Sequence, residues 1–347
     1  MNPRPGPFHS GWYCSRMKRP SPTLHDLAAH VGLSVTTVSD ALRRRGRVAE
    51  ATRAKVLEGA AELGYSPNRP AQSLRSGSSL NVGIYIPRRV LGMEFYMAFA
   101  MSVADELGQY GYDLTIISDA KDPRRWTQFA AVIVVDACLS DGPLRENLDN
   151  GSTVFTAGRI EGLPTSRLAG LIEIDYWKML TEALDGLEQQ RAVTSPFLIA
   201  FEPLDKYSWS QMLISSFVNW CTVRGLEPDV LTVSPDPNSW SFSEDFSRRI
   251  IDRKSYDLIV HGGTLLSMAA RSQKLYTELI DLESARTAVL TTNEIETRLI
   301  DCDVALNIRA KEFGAAIARL CLDRVLKGES EFTHEWFVPE IFISERS

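Results

Sequence analysis

Between Ser34 and Leu42 the chain reads Ser-Val-Thr-Thr-Val-Ser-Asp-Ala-Leu, small hydroxylated side chains interleaved with apolar ones. Val38, Ala41 and Leu42 form the inner stripe of a helix, and Val35, Thr36, Thr37 and Ser39 are left near its exposed N-terminal end. Hydroxyls set out in this way suit hydrogen bonding to base edges and phosphate oxygens. Ser34 offers its hydroxyl to the free N–H groups of that helix. The element that must position it lies just upstream. Leu24, Leu27, Ala28 and Val31 recur at i, i+3, i+4 and i+7, one face of a first helix, and Gly32 supplies the positive φ that ends it abruptly. Two short helices joined by a glycine corner form a helix-turn-helix, whose second helix enters the DNA major groove. The expected chemistry is non-covalent recognition of double-stranded DNA.

The charge distribution points the same way. Residues 17–77 hold ten Lys/Arg and five Asp/Glu, a net +5, and Arg4 and Arg16 add two more before them. The whole chain of 347 residues is −6, which leaves −13 for residues 78–347. A basic head that neutralises phosphates on an acidic body that does not is the expected arrangement.

After the basic loop Arg43-Arg-Arg-Gly-Arg47, Val56, Ala60 and Leu63 mark a third helix over Glu50–Leu63, ended by Gly64. Tyr65-Ser-Pro-Asn68 is an extended exit, Arg69–Gly77 has room for one or two helical turns, and Ser76–Ser79 is a linker by composition. The motifs TLHDLAAHVGLSVTTVSDAL, RV-EATR, LGYSPN and Ala71-Gln-Ser-Leu74 occur in this order. In order and spacing they resemble the DNA-binding headpiece and hinge of the LacI-type (lac repressor) family. The resemblance implies a homodimer that reads a pseudo-palindromic operator. It also implies hinge helices in the minor groove, with Leu74 wedged into a base step. The DNA-binding set carried over is Thr23, Leu24, Ser34, Val35, Thr36, Thr37, Ser39, Asp40, Arg43, Thr52, Tyr65, Asn68, Arg69, Ala71 and Leu74. Three residues depart from the pattern. Asp40 stands where the family commonly has Arg; it cannot donate to guanine but can accept from cytosine N4, so the half-site should differ. Ala49 stands where a Ser or Thr cap is usual, and Pro70 removes an N–H from the hinge.

From Leu80 the pattern changes. Short Val/Ile-rich runs alternate with helical stretches: Leu80–Ile86, a helix over Met97–Tyr110, Leu114–Ile117, Ala130–Val135 and Thr153–Thr156. A second series follows: Phe197–Ala200, helix Gln211–Arg224, Val230–Val233, helix Ser243–Arg253, Leu258–Val260 and Thr287–Thr291. Such alternation indicates parallel, doubly wound sheets. The fold class expected is a small all-α helix-turn-helix headpiece plus a bilobal α/β, periplasmic-binding-protein-like body. The division expected is a disordered tail over 1–22, the DNA-binding domain over 23–67, hinge and linker over 68–79, and an effector-binding and dimerisation body over 80–347. Within the body, lobe 1 takes about 80–192 and 304–332, and lobe 2 about 193–303 and 333–347. The resemblance implies that the chain crosses three times between the lobes and that Ala305–Gly328 returns to the first. Lobe 1 is also short, since Asp122-Pro-Arg-Arg-Trp126 runs almost straight into the third strand; a helix is shortened or lost there.

Ligands of open α/β sheets sit outside the carboxyl ends of the strands. The effector candidates are therefore Phe95 and Tyr96, Arg159, Asp175, Trp209, His261 and Asn293. Arg159 stands out because an Arg after a strand can fork a carboxylate or a hydroxyl pair. The cleft departs from the family. His261-Gly-Gly-Thr264 replaces an Asn/Asp-rich turn, Ser208-Trp-Ser-Gln211 an Arg-bearing segment, and Thr291-Thr-Asn-Glu294 a Gly-Phe-Asp-Asp-like turn. The effector is then sugar-like, an unusual one, or absent, the last leaving a ligand-independent regulator whose body only dimerises.

Other classes lack their signatures. Asp136, His261 and Ser267 can be assembled into a triad on paper, but there is no G-x-S-x-G elbow and no G-x-G-x-x-G after a strand, so no catalytic residues are assigned. The five cysteines show no CxxC spacing, and neither a metal nor a cofactor is expected. No apolar run reaches the roughly 20 residues a bilayer span needs, and Met1–Pro20 lacks the apolar core of a signal peptide, so a cytoplasmic protein is expected. The expected partners are operator DNA, a small-molecule effector and a second copy of the chain.

Overall fold

The structure, a computed structural model, describes residues 22–42, 48–65, 79–88, 90, 93–118, 126–141, 143–203, 208–234, 256–272, 285–327 and 331–344. The chain divides into two compact units, residues 1–77 and 78–347.

In the first unit, helices α1 (Leu24–Val31), α2 (Val35–Leu42) and α3 (Glu50–Leu63) enclose a core of Leu27, Ala28, Val31, Val38, Ala41 and Val56. Thr23 caps α1 reciprocally: its hydroxyl accepts from the Asp26 amide, and its own amide and hydroxyl donate to the Asp26 carboxylate at 2.8 and 2.7 Å. Gly32 turns the chain at φ 68°. Helix α3 passes so close to α1 that a β-carbon on Gly59 would lie 2.4 Å from Val31 Cγ1. Across the same interface His30 Nε2 and Glu62 Oε2 are 2.7 Å apart.

The second unit is built on two six-stranded sheets. The first runs β2 (Asp113–Ile117), β1 (Asn81–Tyr85), β3 (Val132–Val135), β4 (Val154–Ala157), β5 (Gly170–Ile174) and β11 (Thr333–Phe337), all parallel. The second runs β7 (Asp229–Val233), β6 (Pro196–Phe201), β8 (Leu258–His261), β9 (Arg286–Thr291), β10 (Val304–Asn307) and β12 (Glu340–Ile343), with only β12 antiparallel. Strands β3, β4, β5, β6, β8, β9 and β10 are buried along their whole length, whereas β2, β7, β11 and β12 keep exposed positions at the edges. In both sheets the order reverses beside the first strand, so each has a switch point at the carboxyl ends.

The helices set the lobes differently from the expected boundaries. Helix α4 (Glu94–Gln109) starts three residues before the expected Met97, so Phe95 and Tyr96 belong to its first turn. Between β2 and β3 the described residues include a 3-10 turn, Trp126–Gln128. A further helix, α5 (Pro143–Asp149), precedes β4. Helix α6 (Tyr176–Gln190) follows β5 but packs against α7 (Trp209–Val223) and the second sheet. Trp220 Nε1 donates to Asp185 at 2.8 Å and Arg224 Nε to Glu188 at 2.6 Å across that seam. The first crossing therefore lies at Asp175, not near 192. Helices α8 (Thr264–Ser272) and α9 (Glu294–Leu299) belong to the second lobe. Strand β10 stays in the second sheet, so the return comes at Ile308-Arg309 and not at 304, and α10 (Ala310–Lys327) then packs on α4. Strand β11 belongs to the first sheet, which moves the last crossing from 333 to Val338-Pro339. Arg309 adopts φ 51°, places its guanidinium 3.1 Å from Glu340 and lies 5.9 Å from the centre of the Phe337 ring. It thus joins the second and third crossings.

No helix among the described residues is long and apolar enough to cross a membrane, and no group of three His, Cys, Asp or Glu among them is placed to hold a metal.

Candidate functional site

Two places gather the residues singled out in the sequence. In the head, the Ser34 hydroxyl accepts from the Thr37 amide at 3.1 Å and lies 2.8 Å from the Thr37 hydroxyl, so these two side chains fix the start of α2. Val38 and Ala41 face the core. Thr36 is exposed, and Val35, Ser39 and Asp40 are half-exposed. Thr23 spends its polar atoms on Asp26, and Leu24 and Tyr65 pack against the three-helix core. Thr52 is half-buried on α3. Arg53 donates to the Ala41 carbonyl at 3.4 Å and to Glu50 at 2.7 Å, which ties α3 to the end of α2. Ala49 supplies no side-chain cap to α3. Arg43, Asn68, Arg69, Ala71 and Leu74, with the expected hinge helix, lie outside the described residues, as does the helix expected over 243–253.

In the body, a cavity of about 720 Å3 opens between the two lobes at the carboxyl ends of their strands. Phe95, Tyr96, Arg159, Trp209 and Asn293 line it. Asp175 and His261 do not. Asp175 caps α6, accepting from the Lys178 amide at 2.9 Å. His261 is fully buried at the end of β8, with the neighbouring Gly262 and Gly263 on the wall in its place. Burial, with a contribution from Arg271, lowers its pKa to about 3, so the ring is neutral near pH 7. The triad drawn on paper does not assemble. Asp136 accepts from the Tyr96 hydroxyl at 2.5 Å at the end of β3, while His261 and Ser267 are buried in the other lobe.

Arg159 does fork a carboxylate, but that carboxylate is the chain's own Glu173, at 3.0 and 2.8 Å, and His334 Nε2 lies 2.8 Å from the same group. Arg159 is therefore held in the wall and is not left to a ligand. Tyr96 and Tyr176 are buried beside Asp136; burial first and that carboxylate second push both phenols up, so they stay protonated. Trp209, from the other lobe, approaches Tyr96 and offsets a small part of that rise. At the mouth, Asn293 Nδ2 donates to Glu94 at 3.2 Å, again from one lobe to the other. Glu296 receives the Thr292 amide and hydroxyl and the Thr264 hydroxyl, at 2.8 to 2.9 Å. Desolvation, then Glu296, raises the Glu94 pKa above its ordinary 4.5. The strand-end rule reached Arg159 and Asn293 but passed over Asp136 and Thr292, which directly follow β3 and β9, and Glu173, the last but one residue of β5.

The head and the body have separate counterparts among known proteins. Residues 23–68 match the family model described as bacterial regulatory proteins, lacI family. The head therefore carries the DNA-binding domain of that family. Among curated relatives, HTH-type transcriptional regulator DegA of Bacillus subtilis (strain 168) is 30% identical over 111 residues, 32% of each chain. The chain spans about a third of the length of the first curated relatives it matches. Likeness to solved structures extends through the body. A lac repressor dimer bound to operator and the anti-inducer ONPF superposes with TM-score 0.67 at 14% identity, covering 94% of this chain and 98% of that one. The transcriptional regulator CelR–cellobiose complex gives TM-score 0.63 at 20% identity over 93% and 98%. At such identities these structures establish the fold alone.

Proposed function

We propose that this chain is a sequence-specific DNA-binding transcriptional regulator, a repressor and not an enzyme, that acts in the cytoplasm as a homodimer. The observation that carries this reading is the capped α2 helix presenting Thr36 and Asp40 within a lacI-family head. A small molecule in the interlobe cavity sets operator affinity. It does so only to the extent that it binds one arrangement of the lobes better than the other. The Asn293–Glu94 bond spans the cavity and is remade when the lobes rotate. A cavity of this size supports ligand control over a body that only dimerises.

The test is selection of binding sites from random DNA by the full-length protein. A pseudo-palindromic site is expected, with affinity that falls as salt rises. Thr36→Ala and Asp40→Arg are expected to change the selected half-site while leaving the salt dependence nearly unchanged. If both variants return the parental site, the assignment of α2 as the reading helix is wrong.

A further inference from the structure

The wall of the cavity is more apolar than a residue count suggests, because most of its polar side chains are bonded to one another. Glu296 is turned to Thr264 and Thr292, Glu94 to Asn293, Asp136 to Tyr96, and Glu173 to Arg159 and His334. An entering hydroxyl would have to displace one of these bonds without offering a better one. The surface left for a ligand is mostly apolar and includes Met93, Phe95, Phe201, Trp209, Met212 and Leu290. Methionine side chains add an adaptable, polarisable surface.

Two further observations narrow the ligand. Leu265, Met268, Ile295, Leu299 and Trp336 line the cavity and are nonetheless 54–79% exposed. Large apolar side chains gathered in solvent around an opening mark a surface that is covered in use. The charge on the wall is one-sided. Glu94, Asp136, Glu173 and Glu296 stand against Arg159 alone among the described lining residues, and Arg159 is already paired.

We propose that the cavity takes an apolar, ring-bearing small molecule that carries no anionic group, and not a polyol. This rests on the ligand-controlled reading above, to which it adds the class of ligand. Aromatic walls favour a flat ring, as Phe201 and Trp209 meet edge to face with centroids 5.9 Å apart. The acidic wall repels carboxylates, sulfonates and phosphates.

The test uses the full chain and three probes. N-phenylnaphthylamine is neutral and fluoresces when buried, anilinonaphthalene sulfonate presents similar rings with a fixed negative charge, and cellobiose is the polyol. The neutral probe is expected to bind at one saturable site per chain and to take energy from Trp209 and Trp336. The sulfonate is expected to bind at least about tenfold more weakly, the effect of one unfavourable charge contact near 1.4 kcal/mol. Millimolar cellobiose should not displace the neutral probe. Leu265→Trp, at an exposed rim position chosen to preserve folding, should weaken probe binding. Glu173→Gln, which uncovers Arg159, should raise affinity for the sulfonate. Displacement by cellobiose, equal binding of the sulfonate, no saturable site, or indifference to Leu265→Trp would each overturn the proposal. A gel shift on the selected operator, run in parallel, keeps the two readings apart. Probe binding without a change in operator affinity upholds the ligand class and counts against effector control.

Discussion

The head and the cavity use polar side chains in opposite ways. In the head, Ser34, Thr37, Thr23 and Asp26 are spent on capping, and that leaves Thr36 and Asp40 on a helix surface with water around them. In the cavity, the polar groups are turned into the wall, and apolar side chains meet the solvent. A reader of base edges must keep donors and acceptors presented, because specificity comes from pairs made and missed. A pocket whose donors and acceptors are bonded to one another discriminates by shape, apolar area and net charge. The two sites therefore answer to different mutations.

The largest expected effect tests whether the head stands apart from the body. Gly59→Leu forces side-chain atoms into Val31, and such overpacking costs about 1–3 kcal/mol. A three-helix unit has little stability to spare. Operator binding in a gel shift should disappear while the melting of the body and its probe binding stay as in the parent. A shift of both would show that the two units do not fold separately.

The next effect belongs to the body and depends on acid. His261 has an ordinary pKa of 6.5, and burial lowers it to about 3 in the folded chain. The unfolded chain then takes up a proton that the folded one refuses. Stability from this residue is full above pH 6.5 and falls toward pH 3, with a slope of at most ~1.4 kcal/mol per pH unit. His261→Asn should flatten the acid side of the body's melting profile; an unchanged slope would assign the acid sensitivity elsewhere. The smallest effect sharpens the picture of the head. Ala49→Ser supplies the cap that α3 lacks and should stabilise the head by about 1 kcal/mol in denaturant titrations.

The same contrast decides what could be read from the sequence. The head follows local rules. A hydrophobic stripe, a glycine corner and a hydroxyl before a helix act within a few residues, so α1, α2 and α3 were legible nearly to their ends. The sheets were legible as well, because strands buried on both faces are runs of Val, Ile and Leu. The lobe boundaries were not. Nothing local tells that α6, which follows β5 of the first sheet, packs on the second, since that is decided by partners such as Trp220 and Arg224 more than thirty residues away. The cavity was half legible. Arg159 lies where a strand-end rule puts it, but its partner Glu173 and their neighbour His334 come from β5 and β11. His261 shows the opposite failure, a polar residue at a strand end that points into the core.

Arg309 has a mechanical consequence. A left-handed backbone at a non-glycine residue costs on the order of 1–2 kcal/mol and persists only where its surroundings hold it. Here the surroundings are Glu340 and Phe337, on either side of another crossing. Of the three cords between the lobes, two are riveted together by one side chain. Three loose cords would let the halves bend, slide and twist. With two of them fastened, the body behaves as a box with a single line of hinge pins, and its lid swings along one arc.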